Sequence, residues 1–396
     1  MQQLVDNLIK SGAFGKNPPY DLVAALFIAG FSAIVFLVIA FPFAGIVSWV
    51  ERRVWARIQS RVGPNRVGPN GFLQWLADGV KHVCKEDLIP EEADPPLFKM
   101  APYLVVLAFV VPWAVMPFSQ DLILADLNVG ILYFTAVTAL TVVGILMAGW
   151  ASNDKWSLIG GIRSAAQIVS YEIPAGLSIF PIVLMTGTLS MQSIIKAQGW
   201  APNQWFAFAN PFCFVAANIV FISVLAEGNR TPFDLPEAES ELVAGFATEY
   251  SGMRYLFFFM AEWGNLFLVG AIMTTLFFGG WQFPRVTDNR VIMNVLQLIT
   301  FNVKVLTFVF ISMWIRATLP RVRIDQLMTI CWKYLVPLAF IDMLGTAVWV
   351  AIWPDGNPVM GWILFALAVV IGIVFIRRVI HYVRSSKMEL YFSPII

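Results

Sequence analysis

The sequence is poor in charge and in the side chains that bind redox metals. Only 13% of its 396 residues are Asp, Glu, Lys or Arg, whereas about a quarter is usual in soluble domains. Its three cysteines and two histidines are scattered, with no Cys-x-x-Cys pair and no histidine cluster. Iron–sulfur, haem and zinc sites need such ligands. We therefore expect the chain itself to bind no metal and no flavin.

Apolar residues dominate the remainder. They make up 59% of the chain, and the mean hydropathy is +0.74, which is typical of a polytopic membrane protein. The net charge of +1 does not indicate a nucleic-acid partner. The first long apolar run, beginning at Leu22, is longer than the core of a signal peptide, so no cleavable signal is expected.

Long apolar stretches predict an all-α transmembrane helix bundle of about nine spans. The predicted spans are Leu22–Val50, Ala101–Phe118, Gly130–Ala151, Leu158–Gly187, Pro211–Ala226, Tyr255–Phe283, Leu298–Ile315, Val336–Trp353 and Met360–Ile376. Residues 71–84 show the period of an amphipathic helix lying at the membrane surface. We divide the chain into a membrane core, 1–353, and an extra C-terminal helix with a basic tail, 354–396.

The distribution of Lys and Arg predicts the orientation of the bundle. Loops 51–100, 152–163, 227–254 and 316–333, with the tail after 376, hold 20 of the 26 basic residues. Because basic loops stay on the cytoplasmic side, we expect these loops and the C-terminus to face the cytoplasm. The N-terminus then faces the periplasm.

Segment 227–262 concentrates acidic residues between two apolar runs. Its carboxylates are Glu227, Asp234, Glu237, Glu239, Glu241, Glu249 and Glu262. Asp-Leu-Pro-Glu predicts a helix start with a capping box. Such a helix would place Asp234, Glu237 and Glu241 on one face, with Glu249 two turns further. Two interpretations are open, a solvated loop or proton chemistry, because carboxylates between membrane-length segments are costly to keep ionised.

Glu172 and Lys304 are ionisable residues that also fall inside predicted spans. Glu172 precedes Pro174 in Ser-Tyr-Glu-Ile-Pro, where the proline frees backbone groups and admits water. We expect Glu172 to hold and exchange a proton, the alternative being a neutral side chain hydrogen-bonded between helices. For Lys304, as for Glu262, the sequence allows either an ion pair or a side chain that extends to the membrane surface.

Several polar motifs resemble those of a known family. They are residues 51–53 (Glu-Arg-Arg), the tandem Arg-Val-Gly-Pro-Asn repeat at 61–70, and segments 77–87, 165–174, 227–241 and 314–323. Over about 22–353, in uninterrupted order, the sequence resembles the membrane-arm H subunits of NADH:quinone oxidoreductase, respiratory complex I, whose mitochondrial counterpart is called subunit 1.

The resemblance implies a role in a larger enzyme, without independent activity. In that family a ubiquinone or menaquinone head group enters a tunnel between this subunit and peripheral subunits, one of which carries an iron–sulfur cluster. Neighbouring small membrane subunits and the lipid bilayer would be further partners. The implied location is a bacterial inner membrane rather than the mitochondrial one.

The resemblance also implies site residues. The implied quinone-site loops are 51–100, 227–254 and 316–333. Quinone-binding positions are Glu51, Arg52, Arg61, Asp78, Lys81, Arg316 and Arg321. Proton-pathway positions are Glu172, Glu227, Asp234, Glu237, Glu239, Glu241, Glu249 and Glu262.

Two other functions fit parts of the sequence. The homologous subunit of a membrane-bound hydrogenase, or of a deazaflavin- or ferredoxin-linked dehydrogenase, would share the fold with a different electron donor. An ion transporter would also use buried carboxylates. The complete loop motifs favour the quinone enzyme over the first, and the lack of two similar halves argues against the second.

Overall fold

The computed structural model describes residues 41–235 and 239–354, with scattered residues between 359 and 377. The predicted spans Leu22–Val50 and Met360–Ile376 therefore lie partly outside the described residues. The same holds for most of the predicted C-terminal unit, 354–396.

The described residues form fourteen α-helices joined by loops and short turns. The helices are α1 (Phe41–Ile58), α2 (Gln74–Cys84), α3 (Pro95–Val110), α4 (Gly130–Thr138), α5 (Leu140–Ala151), α6 (Lys155–Thr186), α7 (Met191–Ala197), α8 (Phe206–Ala209), α9 (Pro211–Glu227), α10 (Glu239–Leu242), α11 (Gly252–Phe277), α12 (Arg290–Thr318), α13 (Ile324–Thr329) and α14 (Val336–Ile352). Turns of 3₁₀-helix lie at Pro69–Gly71, Val111–Val115, Pro202–Gln204 and Gly245–Ala247, and a π-helical turn at Ile330–Leu335 joins α13 to α14.

The all-α membrane fold is confirmed. Within the described part of the chain, six continuous helical segments are long and apolar enough to cross a membrane. They are Pro95–Val115, Gly130–Ala151, Lys155–Thr186, Gly252–Phe277, Arg290–Thr318 and Ile324–Ile352. The apolar helix α9 is shorter. These seven segments match seven of the nine predicted spans, and the total of nine stays a prediction.

Helix ends follow local capping chemistry. The Asp154 side chain accepts a hydrogen bond from the amide of Ser157 at the start of α6, which ends at Gly187 in the left-handed conformation. Helix α11 ends at Phe277, six residues before the predicted end of its span. The reason is that Gly279 and Gly280 take positive φ angles that only glycine adopts easily.

Helices α6 and α11 form the centre of the bundle. Helix α6 packs against α5, α9 and α14, and α11 packs against α1, α3 and α12. Glycine allows these approaches. A Cβ atom on Gly264 would lie 2.1 Å from the ring of Phe109, and one on Gly160 would lie 2.8 Å from the backbone of Gly245.

The loops gather at two ends of the bundle. The loop side is formed by residues 59–94, 228–251 and 319–323, and the far side by residues 116–129, 187–210 and 278–289. Hydrogen bonds from backbone amides join the three loops of the loop side. The Leu88 amide donates to the Ser251 hydroxyl, and the Val322 amide donates to the Pro232 carbonyl. Segments far apart in sequence thus meet in one place.

Candidate functional site

A buried cluster of two carboxylates and two arginines lies just beneath the loop side. Arg230 is only 2% exposed, and its Nη1 lies 3.2 Å from both carboxylate oxygens of Glu51. Its Nε lies 3.1 Å from Oε1 of Glu262, and its guanidinium stacks over the ring of Trp263. Arg316 reaches the same Glu51, with its Nη1 2.6 Å from Oε1. We call Glu51, Arg230, Glu262 and Arg316 the arginine cluster.

The charges of the arginine cluster balance, and this balance is what makes its burial possible. Taking ions out of water costs several kcal/mol each, and attraction repays that cost only when every charge has a close partner. Removing one member would leave an uncompensated buried charge. The cluster is therefore sensitive to the protonation or displacement of any member.

Arg230 was not predicted as a site residue from the sequence. A signal was present, since an arginine lies between two apolar spans beside Glu227, and arginine is almost never fully buried unless paired. Which carboxylates it contacts could not be read from the sequence. Glu51 lies 179 residues away in the chain.

A second missed residue, Gln167 of α6, anchors the loop that carries Arg230. Its Nε2 donates to the carbonyls of Ala226 and Phe233, at 2.8 and 2.6 Å, and lies 3.2 Å from Oδ1 of Asn229. Gln167 is 1% exposed. The backbone on both sides of Arg230 is thereby held against a spanning helix, which fixes the point from which the Arg230 side chain extends.

A cavity of about 190 Å³ opens next to the cluster, between α1, α2 and α11. We call it the α1–α2 cavity. Its lining residues are Ala44, Gly45, Ser48, Arg52, Trp75, Asp78, Gly79, Lys81, His82, Tyr255, Leu256, Phe259, Met260 and Trp263. Arg52 and Asp78 form an ion pair across it, with 2.6 Å between Nη1 and Oδ2. The cavity has aromatic and aliphatic walls and a charged rim.

Helix α2 has the sequence period of a surface helix, and the structure confirms an amphipathic helix at 74–84. A Cβ atom on Gly45 would lie 2.5 Å from the ring of Trp75, so the glycine in α1 permits the close crossing of α2. His82 follows on α2. Burial, reinforced by the charges of Lys81 and Lys85, lowers the pKa of His82 below its usual 6.5, which favours the neutral imidazole at neutral pH.

Asp234 lies in the loop after α9, beside the arginine cluster. Its Oδ2 is 3.3 Å from Nη2 of Arg321. Burial, with a further contribution from the charge of Glu262, raises the pKa of Asp234 to about 6, although Arg321 and Arg316 oppose the shift. A carboxyl group with this pKa exchanges its proton close to physiological pH.

A row of carboxyl groups continues from the cluster into the bundle. Glu262 and Glu227 line a small cavity of about 30 Å³, together with Asn229, Asn265 and Thr141. That volume holds one or two waters. Glu172, half-buried in α6, is close enough to Glu227 for the two carboxyl groups to interact electrostatically. Glu262, Glu227 and Glu172 thus follow one another across three helices.

The predicted acidic helix face does not continue to Glu249. Asp234 lies in the loop after α9, α10 ends at Leu242, and Val243 takes a positive φ angle. Glu241 points to Arg163, with 2.7 Å to its Nη1, whereas Asp234 turns to Arg321. Glu249 lies in a turn after the 3₁₀ segment and does not continue the face.

The other predicted site residues are distributed unevenly. Arg52, Asp78 and Lys81 line the α1–α2 cavity, and Glu51 and Arg316 belong to the arginine cluster. Arg61 is exposed and its Nε donates to Gln59 Oε1. Glu237 lies outside the described residues, and the side chain of Glu239 does too. In the described part of the chain, no three His, Cys, Asp or Glu side chains gather as metal ligands would.

Comparison with known proteins shows the same family throughout. A family model described as NADH dehydrogenase matches residues 31–347. The chain is 51% identical over 373 residues to the H subunit of the NADH-quinone oxidoreductase of Anaeromyxobacter dehalogenans, covering 90% of this chain and 88% of that protein. It is 46% identical over 349 residues to the corresponding H subunit of Dehalococcoides mccartyi, covering 87% and 94%. For that of Chlorobaculum tepidum the identity is 47% over 309 residues, covering 76% and 86%.

Proposed function

The chain belongs to the family of NADH-quinone oxidoreductase H subunits, and from that premise we propose that it forms one wall of the quinone site and couples quinone reduction to proton translocation. The substrate is ubiquinone or menaquinone. Electrons reach it from an iron–sulfur partner subunit of the peripheral arm, because the sequence offers no ligand set for a redox centre.

The α1–α2 cavity is the observation that carries this proposal. A quinone has a polar head group with two carbonyl oxygens and a long apolar tail. Arg52, Asp78 and Lys81 offer hydrogen-bond partners to such a head group, and Trp75, Tyr255 and other ring-bearing or aliphatic residues offer an apolar wall to the tail. The cavity of about 190 Å³ is smaller than the roughly 300–1,000 Å³ of complete ligand pockets. This supports a site that peripheral subunits complete.

Coupling would run through the arginine cluster. Glu51 precedes Arg52 of the cavity, and Trp263, which lines the cavity, lies under the guanidinium of Arg230. A change of charge at the cavity would shift the partition of Arg230 between Glu51 and Glu262. Glu262 would then gain or lose its countercharge, and with it the tendency to hold a proton.

The proposed proton pathway starts from this change of countercharge at Glu262. Asp234, with its pKa of about 6, supplies or accepts protons near the loop side. Glu262 exchanges protons with Glu227 through water in the small cavity, and Glu227 with Glu172. Glu239, Glu241, Glu249 and Glu237 belong to the proposed loop that feeds this row, on family grounds.

We also propose the bacterial inner membrane as the location, with the loop side towards the cytoplasm. The excess of basic residues on the loop side supports this orientation. It places the proposed quinone wall on the side where peripheral subunits oxidise NADH.

The test is an asparagine at Asp78 in the assembled complex. Asp78→Asn removes the countercharge of Arg52, and a charge-assisted hydrogen bond contributes about 1.5–3 kcal/mol. We expect NADH:quinone reductase activity to fall about tenfold, equivalent to 1.4 kcal/mol. Electron transfer from NADH to a water-soluble artificial acceptor should persist.

Asp288→Asn is the matched control, because it breaks the exposed far-side pair of Arg285 and Asp288, at 2.9 Å. It should change neither activity. Normal quinone reduction by Asp78→Asn would refute the cavity as the quinone wall. Equal loss of both activities would mean failed assembly rather than a damaged quinone site.

A further inference from the structure

An acidic residue outside the carboxylate row lies deep in the bundle. Asp342 of α14 is 2% exposed and lies near the thiol of Cys213, at the far-side end of α9. A glycine permits this approach, since a Cβ atom on Gly345 would lie 2.4 Å from the ring of Phe212. Asp342 therefore lies in the half of the bundle facing away from the arginine cluster.

One oxygen of the Asp342 side chain is left unsatisfied. Its Oδ2 is buried without a hydrogen-bond partner among the described residues, and the Thr346 hydroxyl, one turn later on the same face of α14, lies beside the Cys213 thiol. Across the described residues, no basic side chain forms an ion pair with Asp342. An acidic residue at such a depth is costly to keep and marks a functional position by default.

One face of α6 runs from Tyr171, next to Glu172 in the sequence, towards the region of Asp342. The Tyr171 hydroxyl donates to the Leu327 carbonyl, and Sδ of Met185 lies 3.5 Å from Sγ of Cys213. Tyr171 and Met185 are two heptads apart, and Ser178 lies midway on that face. Ser178 is fully buried, and its hydroxyl has no hydrogen-bond partner among the described residues. Glu172 lies about 9 Å before Ser178 along the helix axis and about 120° around it, so the proposed transfer between them needs bridging water.

We propose that Asp342 is a proton-holding group of the far half, which receives protons from Glu172 by way of Ser178 and water and releases them on the far side. The proton leaves the Glu172 carboxyl group, which becomes a carboxylate, and the Ser178 hydroxyl accepts one proton while donating its own. The Asp342 carboxylate becomes the acid and later returns to the carboxylate. No electron is transferred.

The titratable group recorded against this position is the Cys213 thiol of α9. Tyr171 and Glu172 of α6 lie nearer the loop side, where Tyr171 bonds Leu327 and Glu172 interacts with Glu227. Between Val336 and Ile352, α14 carries no ionisable residue other than Asp342. The inference rests on the proposed function, since it takes Glu172 as the last group of the coupled row.

The experiment uses Asp342→Asn in the complete complex reconstituted into vesicles. An amide keeps the size of the side chain and cannot release a proton. We expect a loss in protons translocated per electron, while the rate of quinone reduction with a protonophore present stays that of the wild type. The infrared difference spectrum between oxidised and reduced complex should lose one protonated-carboxyl band. Asp342→Glu should restore the ratio of protons to electrons and the protonated-carboxyl band.

An unchanged ratio of protons to electrons in Asp342→Asn overturns the inference. If that variant does not assemble, Ser178→Ala decides, because it removes only the hydroxyl through which the proton is proposed to pass. A lowered ratio supports the inference and an unchanged ratio overturns it. Thr307→Val is the control, since the exposed Thr307 hydroxyl bonds only its own helix at Val303. Failure of the wild type to pump would refute the proposed function instead.

Discussion

On the far side of the bundle, buried polar side chains mostly bond to backbone groups, whereas beneath the loop side charged side chains bond to one another. Far-side Gln198 donates to the Thr275 carbonyl at 3.0 Å and accepts from the Gly279 amide at 2.8 Å. Lys304 donates to the carbonyls of Phe278 and Gly280, at 2.8 and 3.0 Å. These hydrogen bonds hold the far-side loops and the end of α11 in place through backbone partners.

Beneath the loop side, the charged side chains of the arginine cluster share their ion-pair partners. Glu51 binds both Arg230 and Arg316, and Arg230 binds both Glu51 and Glu262. Because these partners are shared, a change of charge at one member alters the attraction on the others. Under the proposed function, the comparison separates buried charges held by fixed backbone groups from buried charges whose partners can themselves change charge.

The largest expected effect follows from breaking the shared cluster. Arg230→Met keeps a long side chain and removes the charge, leaving Glu51 and Glu262 partly unpaired. Loss of one partner of a buried pair costs about 3–5 kcal/mol. We expect little assembled complex, and in the fraction that assembles a loss of quinone-linked turnover. Immunoblots of membranes measure the amount of assembled complex, and turnover per assembled complex measures the loss of quinone-linked activity.

Arg230→Lys is the informative companion to that variant. Lysine keeps the charge but cannot bridge two carboxylates with a planar fork. It should restore more assembly than turnover. If Arg230→Lys restores both fully, the bridging geometry has no role and only the charge matters.

The sequence was sufficient for the helices because their signals are local. The amphipathic period of residues 71–84 predicted α2, and apolar runs predicted the spans from Ala101 to Trp353. It also predicted that Glu262 and Lys304 either pair or reach the surface, and the structure shows partners for both. Periodicity and length depend on neighbours within a few turns, so a sequence reveals them.

The arrangement of the site could not be predicted, because it depends on contacts between distant segments. Arg316 and Glu51 are 265 residues apart, and no local pattern indicates that they meet. The acidic stretch shows the same limit. Local periodicity does not reveal that Asp234 binds Arg321 while Glu241 binds Arg163, or that α10 ends at Leu242, before Glu249.

The second-largest expected effect is a pH dependence of stability caused by the loop-side Asp234. Its pKa is about 6 in the folded chain, against an ordinary 3.8. Between these values the folded state keeps a proton that the unfolded state has released, so this contribution favours folding at low pH. It is lost as the pH rises from about 4 to about 6. Across that window the stability falls by up to about 3 kcal/mol.

Asp234→Asn should remove this dependence, because the amide does not titrate. The apparent melting temperature of the assembled complex, followed from pH 4 to pH 7, should fall less steeply in the variant than in the wild type. Asp288→Asn, on the exposed far-side pair, should leave the slope unchanged. Parallel curves for wild type and Asp234→Asn would show that Asp234 titrates at its ordinary pKa.

The smallest expected effect belongs to the far side, at Lys304. Lys304→Met leaves the carbonyls of Phe278 and Gly280 without their donor, and removes the cation that lies 4.8 Å from the ring centroid of Trp205. A buried acceptor left unsatisfied costs about 1–3 kcal/mol. The apparent melting temperature should therefore fall, while turnover and proton pumping per assembled complex stay those of the wild type. Lys196→Met, at an exposed far-side lysine, should change stability by less than about 0.5 kcal/mol. Normal assembly with lost turnover in Lys304→Met would contradict the comparison, because a lysine bound only to fixed backbone carbonyls would then take part in coupling.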